Sequence, residues 1–204
     1  MAGQIPHMAP VPQIGIFTDY CVRGPNPEVL VLREKVMSLS GDSFEIKLMN
    51  GQPIFRVQGK VMSISDRKSV YDMANNHLFD IVKEHFHIHS TYACEDPKGN
   101  KFFEVKSGFK LLGSSAKATF TDKQGKAHTL KMKGNWFDTA ADITDESTGH
   151  TVGRIDRKLL SGRDIFFGQQ TYAVEVAPGV DMALMAAMCI CMDEKNNEGG
   201  GLLS

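Results

Sequence analysis

Apolar and polar side chains alternate in short stretches along most of this chain. Phe44, Ile46 and Leu48 alternate with Glu45 and Lys47, the period of a strand with one face buried. Val29-Leu30-Val31-Leu32, Ile54-Phe55-Arg56-Val57, Val61-Met62-Ser63-Ile64, Ser69-Val70-Tyr71-Asp72 and Leu78-Phe79-Asp80-Ile81-Val82 read as further strands, rich in β-branched and aromatic residues. Glycine-containing turns recur before strands at Asn50-Gly51, Asp96-Pro97-Lys98-Gly99-Asn100, Asp122-Lys123-Gln124-Gly125-Lys126 and Asp145-Glu146-Ser147-Thr148-Gly149. In each, Gly permits the turn backbone while Asp or Asn can bond the local main chain. Their spacing is too uneven for a solenoid and predicts a meander of hairpins.

The pattern changes after Pro178-Gly179. From Val180 to Met192 the chain has no turn residue, is rich in Ala, Leu and Met, and carries Asp181 at its start. Its apolar residues occupy every face, so such a helix must be enclosed on all sides. At this length it falls short of the roughly 20 residues that span a bilayer. A β-barrel wide enough to hold a helix satisfies both observations. The expected domain therefore runs over 29–194. It is preceded by a flexible, Pro-rich leader (1–28) that tucks against it through Ile14, Ile16 and Phe17, and is followed by a disordered, Gly-rich tail (195–204).

Composition narrows the function classes. With 23 Lys and Arg against 24 Asp and Glu, no global field draws the molecule to nucleic acid or to an anionic membrane, and any such binding needs a local patch. The four cysteines, Cys21, Cys94, Cys189 and Cys191, form neither a disulfide framework nor a paired zinc motif, which fits reduced thiols in a cytoplasmic or nuclear protein. On a helix, Cys189 and Cys191 point to different faces and read as core. No P-loop, dinucleotide fingerprint or nucleophile elbow is present, no cofactor is indicated, and the chain is expected not to be an enzyme.

The segment Leu32-Arg33-Glu34-Lys35 through Met37-Ser38-Leu39 and Phe44-Glu45-Ile46, followed by Asn50-Gly51-Gln52-Pro53-Ile54-Phe55-Arg56-Val57, resembles the opening of the LURP-one-related family. Tyr172-Ala173-Val174-Glu175-Val176, then Pro178-Gly179-Val180-Asp181 and the apolar helix, is similar to that family's close. The resemblance implies a mainly β, tubby-like fold: a closed barrel of about twelve strands around a buried C-terminal helix. It also brings in the phosphoinositide-binding tubby proteins and the phospholipid scramblases as more distant relatives. No lipid-binding residue transfers position by position.

Two clusters carry candidate chemistry. His85, His87 and His89 would share one strand face, a spacing that ligates metal, although a polar outer face explains it more simply. Lys131, Lys133, Arg154 and Lys158, with Lys106 and Lys110 around a bend, could gather into a basic patch for a phosphoinositide headgroup, provided that their strands adjoin. The expected function is a non-catalytic module that recruits to membranes through anionic headgroups. A protein-interaction domain and a metal-dependent enzyme at the histidines are the alternatives.

Overall fold

The computed structural model describes residues 8–33, 43–59, 67–84, 91–108, 114–134, 140–156 and 171–200. Twelve strands form an antiparallel up-and-down barrel: β1 (Glu28–Arg33), β2 (Ser43–Leu48), β3 (Pro53–Gly59), β4 (Lys68–Asp72), β5 (His77–Glu84), β6 (Thr91–Glu95), β7 (Lys101–Gly108), β8 (Ser114–Thr121), β9 (Ala127–Gly134), β10 (Ala140–Asp145), β11 (Thr151–Asp156) and β12 (Thr171–Val176). Each pairs with its sequence neighbours, and β1 closes the ring on β12 over six positions, from Glu28 opposite Val176 to Arg33 opposite Thr171. The helix α1 (Met182–Gly200) threads the barrel and runs past the expected domain end at 194.

Alternation along each strand selects what faces the helix. Leu30 and Leu32, Phe55 and Val57, Phe79 and Ile81, Leu130 and Met132 all point inward and are buried, together with every helix residue from Met182 to Met192. A helix apolar on all faces and a ring of inward-facing strands thus meet each other's need for burial. Strands with small inward side chains make room for it: Ala116 and Ala118 on β8, and Gly153 on β11, where an added Cβ would lie 3.1 Å from Met185 Sδ.

The even-to-odd connections are tight and lie together at one end. In four of them an Asp opens the turn, and its backbone N–H bonds the strand that returns: Asp72 to Asn76, Asp96 to Asn100, Asp122 to Lys126 and Asp145 to His150. The same carboxylates accept main-chain N–H groups inside the loop, as when Asp96 Oδ1 receives those of Lys98 (2.9 Å) and Asn100 (2.8 Å). The residue that must adopt a left-handed conformation is Gly99 in one turn (φ +86°) and Asn75 in another (φ +68°), the side chains that tolerate it best. Buried His128 links two of these turns. Its Nε2 lies 2.8 Å from Asp122 and its Nδ1 3.9 Å from Asp145, and its ring stacks on Phe120.

The part of the expected leader from Met8 to Val22 crosses this turn end as a strap. It brackets the 178–181 loop through main-chain bonds from Val11 to Pro178, Ile14 to Gly179 and Val22 to Val180. Phe17 packs on Phe79 and Phe102, and Tyr20 packs edge-on to Phe55. Ile14 is buried, whereas Ile16 and Phe17 are half-buried. At the opposite end the helix is tied to the wall as it leaves, by Asp193 to Tyr172 and by Glu194 to Lys68 at 2.7 Å.

Candidate binding site

The barrel wall is unevenly sewn. β1 and β2 pair only at Leu30 with Leu48 and Val31 with Lys47, although β1 pairs along its whole length with β12 and β2 pairs with β3 from Ser43 to Lys47. Beyond Val31 the two strands diverge and open a groove of about 420 Å³ on the barrel's flank. Arg33, Lys47 and Arg56 line it with a single carboxylate, Glu45, and with Ser43 and Thr171. Glu45 sits 3.3 Å from Lys47, an exposed pairing that screens readily. Arg33 is exposed and has no ionic partner among the described residues.

Arg56 is the most constrained of the three cations. Its guanidinium lies 5.2 Å from the centre of the Tyr71 ring, which packs in turn on His77, and Nη2 donates to Asn75. Register makes this stack, because Arg56 stands opposite Tyr71 and Tyr71 opposite His77 on three adjacent strands. Its Nε is buried without a hydrogen-bond partner among the described residues. A guanidinium held in this way beside two further cations suits a multiply charged oxyanion.

The sequence pointed elsewhere, to Lys131, Lys133 and Arg154. The structure does bring these onto one outer face, with Lys117 added from β8. Acids interleave with them. Lys133, Asp142, Arg154 and Glu175 stand in one row across β9 to β12, so the charges alternate. Arg154 Nε donates to Asp142 at 2.7 Å, and this bond, backed by Glu175 and Asp156, raises the guanidinium above its usual range. Lys117 (3.0 Å) and Lys131 (3.3 Å) share Glu146, whose carboxyl they pull below its usual range. Lys106 pairs with Glu104 at 2.6 Å. Lys158 and Lys110 lie outside the described residues, as do His85, His87 and His89. Among the described residues, no group of three His, Cys, Asp or Glu stands together to hold a metal.

Two places among the described residues bring Ser, Asp and His together, and in both the carboxylate is in the middle. Asp80 Oδ1 accepts from Ser69 Oγ at 2.5 Å and lies 2.9 Å from His77 Nε2. Asp145 accepts from Ser147 Oγ at 2.8 Å and faces His128 from the other side. A serine nucleophile needs its hydroxyl on the imidazole that will take the proton. Here both hydroxyls are committed to the carboxylate.

Residues 28–193 match the family described as LURP-one-related. The chain belongs to the LURP-one-related family. It is 24% identical to Protein LURP-one-related 15 of Arabidopsis thaliana, over 96% of this chain and 93% of that one. It is 22% identical to Protein LURP1 of the same plant, over 92% of each. An X-ray structure of a protein from Arabidopsis thaliana superposes with a TM-score of 0.58 at 15% identity, covering 90% of this chain and 98% of the other, and shares its fold. The tubby-like barrel that the sequence implied for this LURP-one-related chain is the architecture observed. Among the described residues no helix is long and apolar enough to cross a membrane.

Proposed function

We propose that this LURP-one-related domain is a non-catalytic module that docks on membranes by holding an anionic phospholipid headgroup in the groove between β1 and β2. The observation that carries the reading is the charge of that concavity: Arg33, Lys47 and Arg56 against Glu45 alone. Phosphate groups take two cations or more at such a site, and exclusion of water from a groove strengthens each pairing. The β8–β11 face offers four cations to the groove's three but sets carboxylates among them, so a phosphate there would have to displace Glu146 or Asp142.

The test is pelleting of the whole chain with phosphatidylcholine vesicles, with and without a few per cent of phosphoinositide, at low and at physiological salt. Phosphoinositide-dependent pelleting that falls with salt but persists is the expected result. Arg33→Glu with Lys47→Glu should abolish it, while Lys131→Glu with Lys133→Glu should leave most of it. The reverse ranking would move the site to the β8–β11 face. A wild-type chain that ignores both vesicle types would remove the lipid reading and leave a protein-interaction domain.

A further inference from the structure

The strap and the helix meet at one carboxylate. Asp181 is fully buried, and it caps α1: Oδ1 accepts the main-chain N–H of Ala183 at 2.9 Å and of Leu184 at 3.4 Å, while its carbonyl takes the first helical bond, from Met185. Its other oxygen serves the strap. Oδ2 accepts from Ile16 N at 3.0 Å and Phe17 N at 2.7 Å. The approach is so close that a Cβ on Gly15 would fall 2.3 Å from Asp181 Cβ, so only glycine lets the strap seat. A second tight contact, Gly179 against the Val11 carbonyl, holds the other side.

Among the described residues this latch has no ion-paired cation. Cys21 stands beside Asp181 across a β-bridge, with Asp19 and Arg23 acting on that thiol, and none of the three forms an ion pair with Asp181 among the described residues. The 177–180 turn and the first turn of α1 contribute only uncharged side chains. Four N–H donors soften the cost of an ionised carboxylate here, but burial without a counter-charge outweighs them.

We propose that residues 8–22 form a releasable strap whose seating is linked to protonation of Asp181, so that the strap closes more tightly as the solution is acidified. A proton placed on the helix-side oxygen weakens that oxygen's cap bonds to Ala183 and Leu184 but leaves Oδ2 free to accept both strap amides, so the neutral form keeps the latch and loses the cost of a buried charge. Lifting the strap returns the carboxyl to water. The sign follows: the closed state, where burial pushes the carboxyl up to about 6, binds the proton more strongly than the open one. Above that range the latch holds a buried carboxylate without a counter-charge and opens more often. Opening uncovers the ring faces of Phe79, Phe102 and Phe55, which Phe17 and Tyr20 cover.

The experiment is hydrogen exchange of the intact chain, resolved at the amides of Ile16 and Phe17 and corrected for the intrinsic pH dependence of exchange. Protection should be about ten-fold greater at pH 5 than at pH 7.5, as one proton bound with a value of about 6 requires. Asp181→Asn should flatten that response. If the variant does not fold, Gly15→Ala, which removes the seat but keeps the carboxyl, should strip protection from both amides at either pH. Equal or greater protection at pH 7.5, or a pH response that survives in either variant, would overturn the proposal.

Discussion

The phenol of Tyr172 donates a 2.8 Å hydrogen bond to Asp193, tying the start of β12 to the helix where it leaves the barrel. Both residues are buried. Tyr172→Phe keeps the ring and removes the donor, leaving a buried acid short of one partner. The expected loss is about 1–3 kcal/mol, seen as a lower urea midpoint at unchanged slope. A variant with the wild-type midpoint would show that this tie contributes nothing.

Between Met182 and Met192 the helix buries only uncharged side chains. Leu184 and Met188 are enclosed by inward-facing strand residues. Leu184→Asp should give no soluble, cooperatively folding protein, because it buries an unpaired carboxylate. Met188→Ala should fold at a cost of about 2–5 kcal/mol. Soluble expression of Leu184→Asp with a normal thermal transition would count against a packed interior helix.

Asp80 supplies stability that depends on pH. Burial works to raise its carboxyl, but the hydroxyl of Ser69, the guanidinium of Arg67 and the ring of His77 hold it below the ordinary value of 3.8. Its contribution is therefore complete above that value and is lost as pH falls through the lower folded one. The urea midpoint of Asp80→Asn, compared with wild type from pH 7 to pH 3, should show the largest gap at pH 7 and a shrinking gap below about 4. A constant gap would mean that the charge is not what Asp80 contributes.

The three thiols inside the barrel should resist modification in the native state. Cys21, Cys94, Cys189 and Cys191 are buried and free. Burial raises the thiols of Cys94 and Cys189 well above their usual range, and Cys191 beside it adds to the effect at Cys94. A disulfide reagent at pH 8 should label none of Cys94, Cys189 and Cys191 within minutes, should reach Cys21 only when the strap lifts, and should label all four in guanidinium. Rapid labelling of any of the first three in the native chain would show that the barrel opens on that timescale.

Much of the barrel was legible because its strongest strands alternate cleanly. Phe44-Glu45-Ile46 and Leu130-Lys131-Met132 show which face is inside. Less legible were β8 and β10, whose inward residues include alanines (Ala116, Ala118, Ala141) that carry little hydrophobic signal. They face the interior that the helix fills, a fact about the partner rather than about the strand. The site was less legible than the fold. Charges two apart on one strand can be seen to share a face, so Lys131 and Lys133 stood out. That Glu146 and Asp142 would be delivered beside Lys131 and Arg154 depends on register between strands. The groove depends on it too: Arg33, Lys47 and Arg56 come from three strands and meet only because β1 and β2 part after Val31. Asp181 was read as a helix-end charge. Its second role lies 165 residues away in Ile16, a separation that no local pattern spans.

The seam between β1 and β12 has a consequence for how the protein is made. Within this domain the strand that closes the ring, and the helix that fills it, are synthesised after every other strand, whereas the partner edge on β1 is synthesised before them. Until then the nascent sheet carries an open edge and an unfilled apolar face, the two features that invite association between chains. Premature termination before residue 171 should thus yield an insoluble product rather than a smaller barrel, and the domain's demand on chaperones falls almost wholly before β12 and α1 are synthesised.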